Sequence, residues 1–310
     1  MMKTHSITTL TVNPSLDKST HFSELVPEKK IRCEKPRYDA GGGGINVSKA
    51  ISKLGGNSLC VFTSGGSTGE LLEELVANDG IENAVIKTQN WTRENFIAFD
   101  NTTKSQYRFG FPGNEISKEE KDSILSKISE LRTNYLVISG SLNEGLPADF
   151  YQKIIEIAKE SRTKIIVDTS GEALEKVVET GVYLIKPNIG ELAKLIGVER
   201  LELPEVEQAA QNLILKGSAE IVVVSLGADG AILVTKDETH LVKAPKVEKK
   251  STVGAGDSMV GGMVWALSQN KTLKEVIQLG VCCGTAATMN EGTQLFKRED
   301  VEKLFKELQS

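Results

Sequence analysis

The sequence lacks the signals of several large classes of protein. Four cysteines occur among 310 residues, and none belongs to a C-x-x-C pair. We interpret them as reduced thiols, which predicts a cytoplasmic location. No N-terminal apolar segment has the form of a signal peptide, and apolar runs such as 221–224 are far too short to span a bilayer. We therefore expect no secretion and no membrane partner.

The charge pattern argues against one class of partner, nucleic acid. The chain carries 37 Lys and Arg against 42 Asp and Glu, a net charge of −5, and has no basic block. This composition gives no electrostatic footprint for nucleic acid. With 39% hydrophobic residues, it fits an ordinary globular protein with a large core, which we interpret as a single domain over residues 1–310. Any anionic ligand must be held by local groups.

Several catalytic motifs are missing as well. The chain contains no Walker A loop and no G-x-G-x-x-G segment after a strand, so neither a P-loop nor a dinucleotide fold is indicated. Its three histidines, His5, His21 and His240, are scattered and have no plausible partner in sequence. Serine-histidine catalysis is therefore unsupported.

What is present is an alternation of strands and helices. Apolar strands at 6–12, 58–63, 135–139, 164–168, 183–186 and 221–225 alternate with helices at 68–78, 118–131, 148–159 and 173–179. Continuous apolar runs are typical of parallel strands covered on both faces. We predict an α/β/α sandwich of three layers with an open, mostly parallel sheet. Two irregular polar segments, about 18–40 and 88–111, break this rhythm, and we predict that they pair as a small β-sheet lid.

Polar groups follow the predicted strand ends. In open α/β sheets, ligands bind beyond the carboxyl ends of the strands, so these groups are expected to converge. They are Asp17, the glycines at 41–44, Ser141, Asp168, Lys186, Asn188 and Ser225.

The segment 252–258 is the strongest single candidate for a functional site. Gly254, Ala255 and Gly256 precede Asp257 where a buried helix begins. Free backbone amides and the helix dipole make such a junction an anion site beside a carboxylate. The alternative is structural, because Asp257 could simply be an acid that complements the dipole.

Four other residues have structural alternatives too. Asn188 and Glu191 lie three apart at a helix start and could hold a hydrated magnesium ion, or could form a cap with a first-turn acid. Arg93 could be a solvated charge of the lid. Asp17 could belong to an Asx turn after Pro14.

Several motifs together resemble a known family across nearly the whole chain. They are NPSLD at 13–17, GGGGIN at 41–46, WTR at 91–93, QYRF at 106–109, VISGS at 137–141, KPN at 186–188, VVSLG at 223–227 and STVGAGDS at 251–258. The chain is similar to the ribokinase-like sugar kinases, also called the phosphofructokinase B family. Within that family the motifs resemble the bacterial minor ATP-dependent 6-phosphofructokinases. The resemblance implies a ribokinase-like fold and transfer of phosphate from ATP to fructose 6-phosphate, giving fructose 1,6-bisphosphate.

The resemblance also implies roles for individual residues. Asp257 would be the general base, and the amides of Gly254, Ala255 and Gly256 would form an anion hole. The residues implied to bind the sugar hydroxyls are Asp17, Gly42, Gly43 and Asn46, and those facing its phosphate are Lys30, Arg93, Arg108 and Ser141. The implied ATP site comprises Lys186, Asn188, Ser225, Gly227, Gly230, Val281 and Gly284. Magnesium would be held through water by Asn188 and Glu191, and a possible potassium ion by Ser251, Val253, Ala287, Asn290, Gly292 and Gln294.

Two further functions remain open at this point. A tagatose-6-phosphate kinase or 1-phosphofructokinase would belong to the same family, but those relatives tend to have lysine where this chain has Gly43. A non-catalytic sugar-phosphate-binding protein would be expected to lose the base, whereas Asp257 is intact. Apolar residues of the lid, such as Phe96 and Phe109, favour a homodimer formed through the lid.

Overall fold

A nine-stranded, mostly parallel sheet forms the centre of the molecule, and a four-stranded sheet lies apart from it. The computed structural model describes residues 5–290 and 294–309. The strands are β1 (His5–Thr11), β2 (Ser15–Phe22), β3 (Arg37–Gly41), β4 (Leu59–Ser64), β5 (Asn83–Lys87), β6 (Arg93–Asp100), β7 (Gln106–Gly110), β8 (Thr133–Ser139), β9 (Lys164–Asp168), β10 (Val182–Ile185), β11 (Ala219–Ser225), β12 (Ala231–Val234) and β13 (Thr239–Val242). The large sheet has the order β13-β12-β11-β10-β9-β8-β1-β4-β5, and the small sheet β3-β2-β6-β7.

Helices cover both faces of the large sheet. They are α1 (Gly43–Lys53), α2 (Gly66–Asn78), α3 (Lys118–Glu130), α4 (Phe150–Lys159), α5 (Gly171–Thr180), α6 (Ile189–Leu195), α7 (Val206–Leu215), α8 (Ala255–Ser268), α9 (Leu273–Thr288) and α10 (Arg298–Gln309). Leu136 and Ile138 of β8 pack in the core with α3 to α7, while Tyr135 and Val137 pack with α1, α8 and α9. The predicted α/β/α sandwich is confirmed. None of the helices in the described ranges has the length and apolar character needed to cross a membrane.

The edge strand β5 is not predicted by the sequence pattern. Of its five residues only Ile86 is buried, so the segment lacks the continuous apolar run of the central strands. It pairs in parallel with β4 on one side only. A short edge strand of this kind leaves little hydrophobic signal.

The small sheet begins earlier than the sequence suggests. β2 runs from Ser15, so Asp17 lies inside a strand and pairs with Asp39 of β3. The alternative of an Asx turn at Asp17 is therefore wrong. The predicted hairpin of the second polar segment is confirmed by the antiparallel pairing of β6 with β7.

Strand register places three candidate side chains on one face of the small sheet. Asp17 pairs with Asn95, and Ile97 pairs with Arg108. Because successive side chains in a strand point to opposite faces, Arg93, Asn95 and Ile97 share a face. Asp17 and Arg108 project from that same face.

Close packing of α1 on α8 brings together two segments that are far apart in the sequence. A Cβ atom added at Gly261 of α8 would lie 2.6 Å from Ala50 Cβ and 3.1 Å from the Val47 carbonyl oxygen, both on α1. Only a residue without a side chain allows this approach. The contact places the first turns of the two helices side by side.

We expect Gly261→Ala to lower the free energy of unfolding by about 1–3 kcal/mol, because a methyl group would overpack the contact between the helices. The sign of this change in stability shows whether the site is crowded, since replacing glycine by alanine in an uncrowded helix stabilises the protein by about 0.5–1 kcal/mol. The control is Gly110→Ala, where the nearest atom to an added Cβ is Asn95 Oδ1 at 3.8 Å. Urea unfolding measures both changes. Greater stability of the Gly261 variant would contradict the packing argument.

Candidate active site

The glycine motif at 254–256 forms the N-terminus of α8. Gly254 caps the helix with φ 70°, in the left-handed region that favours glycine. The first amides of a helix have no acceptor within it, and they carry the positive end of its dipole. The Ala255 amide makes a long hydrogen bond of 3.4 Å to the Thr252 carbonyl. This end of α8 can therefore receive an anion.

Asp257 lies in the first turn of α8, beside those amides. The side-chain amide of Asn46, on α1, donates to Asp257 Oδ2 at 2.9 Å. Burial raises the pKa of Asp257 to about 6, and the charge of Asp168 adds to the increase. The Asn46 hydrogen bond and the charge of Lys186 oppose it. The carboxylate is thus a stronger base than an exposed aspartate, yet it is ionised at neutral pH.

Lys186 supplies a buried positive charge next to this helix end. It is 7% exposed and pairs with Asp168 Oδ1 at 3.1 Å. Burial alone would lower the pKa of Lys186, but Asp168, Asp257 and Glu191 outweigh it and raise that pKa. A Cβ atom added at Gly256 would lie 3.6 Å from the ammonium nitrogen. The ammonium group therefore lies beside the candidate anion hole.

Asp168, which ends the apolar strand β9, was expected among the converging strand-end groups but was given no role in the site. Its position past the buried part of a parallel strand was the signal that could have identified it. The residue influences the site in two ways, because it neutralises Lys186 and raises the pKa of Asp257.

Asp17 is buried on the small sheet with one oxygen already bonded. Its Oδ1 accepts from Ser15 Oγ at 2.7 Å and from the Asn95 side-chain amide at 2.9 Å. Burial raises the pKa of Asp17, while those two bonds and the charge of Arg93 oppose the increase. A Cβ atom at Gly41 would collide with Asp17 Oδ2. Among the described residues Oδ2 has no hydrogen-bond partner, so it can accept from a ligand.

The glycine run brings α1 against the end of β8. Gly42 has φ 123°, and α1 begins at Gly43. A Cβ atom at Gly43 would lie 2.9 Å from the Gly140 nitrogen, so the predicted sugar site adjoins the loop that follows β8. Asn46 Oδ1 is buried and has no hydrogen-bond partner within residues 5–290 and 294–309. It can accept a ligand hydroxyl beside Asp257.

Arg93 is held by several acceptors. Its guanidinium donates to the Phe111 carbonyl at 3.1 Å, to the Asn13 carbonyl at 3.2 Å and to Asn95 Oδ1 at 3.3 Å. Burial lowers the pKa of Arg93, and the nearby Asp17 opposes the decrease. The alternative of a freely solvated lid charge is therefore wrong. Asn13 also donates to Ser141 Oγ at 3.1 Å, which places Ser141 close to Arg93.

Two predicted phosphate-binding residues are not joined to this group. Lys30 is exposed on the loop between β2 and β3, and Arg108 is exposed on β7. Neither side chain forms a hydrogen bond or ion pair with another residue in the described part of the chain. Register still places Arg108 on the face of the small sheet that carries Asp17.

The predicted nucleotide residues lie along neighbouring strand ends. The Ser225 amide donates to the Pro187 carbonyl at 3.0 Å, which ties the end of β11 to the start of α6. Gly227 and Gly230 both have positive φ angles, as tight turns require. On α9, a Cβ atom at Gly284 would lie 3.1 Å from the Ala255 carbonyl oxygen. Val281, one turn earlier, is buried on the same helix.

Asn188 and Glu191 form a capping box at the start of α6. Asn188 Oδ1 accepts from the Glu191 amide, and Glu191 Oε2 accepts from the Asn188 amide, both at 2.9 Å. The structural interpretation of this pair is confirmed. The cap uses only Oε2 of Glu191, so Oε1 can still bind a hydrated ion. Within the described ranges no cluster of three or more His, Cys, Asp or Glu side chains could hold a metal directly.

The predicted potassium residues come from two segments that are hydrogen-bonded to each other. The Ser251 amide donates to the Thr288 carbonyl at 3.2 Å, and the Asn290 side chain donates to the Ala286 carbonyl at 3.1 Å. Val253 and Ala287 are buried, and Gln294 is exposed. Gly292 lies outside the described residues.

Comparison with known proteins decides which chemistry this arrangement serves. The sequence profile described as pfkB family carbohydrate kinase matches residues 11–300. This chain belongs to the pfkB family of carbohydrate kinases. It is therefore an enzyme that transfers phosphate to a sugar or sugar phosphate, and the late glycine motif and Asp257 lie within the matched range.

Individual relatives make the comparison more specific. ATP-dependent 6-phosphofructokinase isozyme 2 of Escherichia coli (strain K12) is 40% identical over 301 residues, covering 96% of this chain and 97% of the relative. The crystal structure of phosphofructokinase-2 from Escherichia coli in complex with fructose-6-phosphate is similar with a TM-score of 0.93 and 38% identity, covering 99% of this chain and 100% of the other. A 1-phosphofructokinase of Borreliella burgdorferi (strain B31) is 34% identical over 300 residues, 96% of each chain. The match is thus stronger to the 6-phosphofructokinase.

The raised pKa of Asp257 predicts how the activity falls at low pH. A base must be ionised, so we expect kcat/KM to fall as the pH drops through about 6, the pKa of Asp257. A sugar phosphate also ionises near pH 6, so the test compares variants. Removing the Asp168 charge should lower the pKa of Asp257, and Asp168→Asn should move the fall in kcat/KM to lower pH. If Asp168→Asn leaves the pH of this fall in kcat/KM unchanged, the fall is due to ionisation of the substrate.

Proposed function

We propose that this protein transfers the γ-phosphate of ATP to the 1-hydroxyl of fructose 6-phosphate, giving fructose 1,6-bisphosphate. One arrangement carries the proposal. Asp257 and the free amides of α8 lie beside Asn46, and Asn46 follows the glycine run that adjoins the loop carrying Ser141. Successive contacts thus lead from the base and the anion site to Asn13, which is bonded to both Ser141 and Arg93, and Arg93 can hold a second phosphate.

Asp257 acts as the general base in this proposal. It accepts the proton of the attacking hydroxyl, a contribution of typically about 10²–10⁴-fold in rate. Asn46 orients the carboxylate through its 2.9 Å hydrogen bond. The amides of Gly254, Ala255 and Gly256 stabilise negative charge on the transferring phosphoryl group, and Lys186 adds a buried positive charge beside them.

The opposite end of the cleft recognises the sugar phosphate. Asp17 Oδ2, Asn46 Oδ1 and the close backbone of Gly42 and Gly43 bind the sugar hydroxyls. Arg93 and Ser141 bind the phosphate already present, and Lys30 and Arg108 add charge when the small sheet closes. Hydrogen bonds to charged groups contribute about 1.5–3 kcal/mol each, so this end selects a phosphorylated sugar.

ATP lies against Ser225, Gly227, Gly230, Val281 and Gly284 in this proposal. Asn188 and Glu191 would hold magnesium through water, because Glu191 Oε1 is not used in the cap of α6. Bound magnesium neutralises phosphate charge. A potassium ion would be held by the segment before α8 and the end of α9.

The small sheet serves as a lid on a single kinase domain in this proposal. It carries Asp17 and Arg93, so ligand binding would draw it toward α8 and exclude water from the anion site. The cytoplasmic location also remains a prediction, supported by four free cysteines.

Substrate preference tests the proposed function. A coupled assay at fixed MgATP would compare kcat/KM for fructose 6-phosphate, tagatose 6-phosphate and fructose 1-phosphate. We expect fructose 6-phosphate to be preferred, because the similarity to the 6-phosphofructokinase exceeds that to the 1-phosphofructokinase. Preference for either other sugar would favour the alternatives within the family, and no turnover of any would favour a binding protein.

The role of Asp257 has its own test. Asp257→Asn keeps the size of the side chain, but it cannot accept the hydroxyl proton. We expect kcat to fall by at least about 10²-fold while both substrates still bind. Calorimetry reports binding and the coupled assay reports turnover. The control is Asp122→Asn, at an exposed position of α3. Turnover within tenfold of the unaltered enzyme would remove Asp257 from the chemistry.

We also propose that two copies associate through the small sheet. Phe109 of β7 is 48% exposed and stacks on Phe96 with ring centroids 5.9 Å apart. Such an apolar pair on an open sheet face is costly to leave in water.

We expect Phe109→Glu to give a monomer in sedimentation velocity, because a buried charge would oppose pairing. The control is Leu215→Glu on α7, which packs on the large sheet; the Leu215 side chain is 70% exposed. A dimer that persists in the Phe109 variant would place the interface elsewhere, and dissociation of both variants would show a nonspecific effect.

A further inference from the structure

Asn13 is bonded to both of the groups proposed to bind the sugar's phosphate. It lies between β1 and β2 and is 6% exposed. Its side-chain nitrogen donates to Ser141 Oγ and to the Leu142 carbonyl, each at 3.1 Å. Its backbone carbonyl accepts from the Arg93 guanidinium at 3.2 Å. Because a carbonyl only accepts, the bond to Leu142 fixes the orientation of the Asn13 amide.

The position of Asn13 in the fold explains why such a link matters. Arg93 begins β6 in the small sheet, and Ser141 follows β8 in the large sheet. Neither sheet alone sets the distance between these two side chains. Asn13 occupies the connection from β1, the neighbour of β8, to β2, the neighbour of β6. It therefore spans the junction at which the two sheets must be aligned.

A small polar cavity adds a second link. Asn13, Arg93 and Asn143 line a cavity of about 20 Å³, enough for one water molecule. One polar atom of each of these residues is buried with no hydrogen-bond partner in the described ranges: Asn13 Oδ1, Asn143 Oδ1 and Arg93 Nε. Two acceptors and one N–H donor match the two hydrogens and a lone pair of water. A water at this place would join Asn13 to Arg93 a second time.

We propose that Asn13 is a positioning residue that determines the selectivity for a phosphorylated sugar. It aligns Arg93 and Ser141 directly and through one buried water, and it does not itself bind the sugar. The inference rests on the proposed function. It assigns to Asn13 an effect on the recognition of the sugar's phosphate and none on the transfer of the phosphoryl group.

Asn13→Ala tests the inference without adding charge. The variant keeps the backbone bond to Arg93 and loses the side chain that aligns Ser141 and would hold the water. We expect KM for fructose 6-phosphate to rise at least about tenfold, as when one hydrogen bond to a charged group is lost. KM for ATP and kcat/KM for unphosphorylated fructose should change by less than about twofold, so the preference for the phosphorylated sugar falls about tenfold. Asn13→Ser, which can restore one donor, should lie between the alanine variant and the unaltered protein.

The matched control is Asn83→Ala at the start of β5, whose side chain donates to the Ile81 carbonyl at 3.2 Å. It should leave the preference unchanged. If the Asn13 variants lose activity equally toward both sugars, or are unfolded at the assay temperature, Asn13 is structural and the inference is wrong. If the unaltered protein does not prefer fructose 6-phosphate over fructose, the proposed function itself fails.

Discussion

The hydrogen bond between Asn46 and Asp257 is the contact on which the rest of the site depends. It joins residues 211 positions apart, at the first turns of α1 and α8. The two helices can approach because Gly261 lets α8 lie against Ala50 and Val47. One helix starts in the glycine run beside the sugar site, and the other starts at the anion hole. Their contact therefore places the base next to its proposed acceptor.

Desolvation and neighbouring charges together explain how the part-buried carboxylate of Asp257 can serve as a base. The negative charge of Asp168 destabilises the Asp257 carboxylate, and Lys186 compensates only in part. Desolvation has the larger effect on the Asp257 pKa and brings it to about 6. A base with that pKa is ionised at neutral pH and still takes a proton more readily than an exposed aspartate. The fold thus sets the reactivity of Asp257 by burial first and by neighbouring charges second.

Features with a local cause could be predicted from the sequence. Strand β9 is an apolar run covered on both faces, and its limits of 164–168 agree with the pattern. Gly254 needs a left-handed conformation, which marked the start of α8. The partners of the functional groups could not be predicted, because they depend on contacts between distant elements. Asp168 beside Lys186, Asn95 beside Asp17 and Asn13 between Arg93 and Ser141 all come from strand register and packing. At Asn188 the sequence left a cap and a metal site open; the cap is confirmed, and the metal role stays a prediction.

A crystal structure of the complex with fructose 6-phosphate would test the central claim most directly, because the account fixes both ends of the ligand. We expect the 1-hydroxyl within about 3.2 Å of an Asp257 carboxylate oxygen, and the 6-phosphate at Arg93 and Ser141. A sugar bound with its phosphate at the α8 end, or with the 1-hydroxyl outside hydrogen-bond reach of Asp257, would contradict the account.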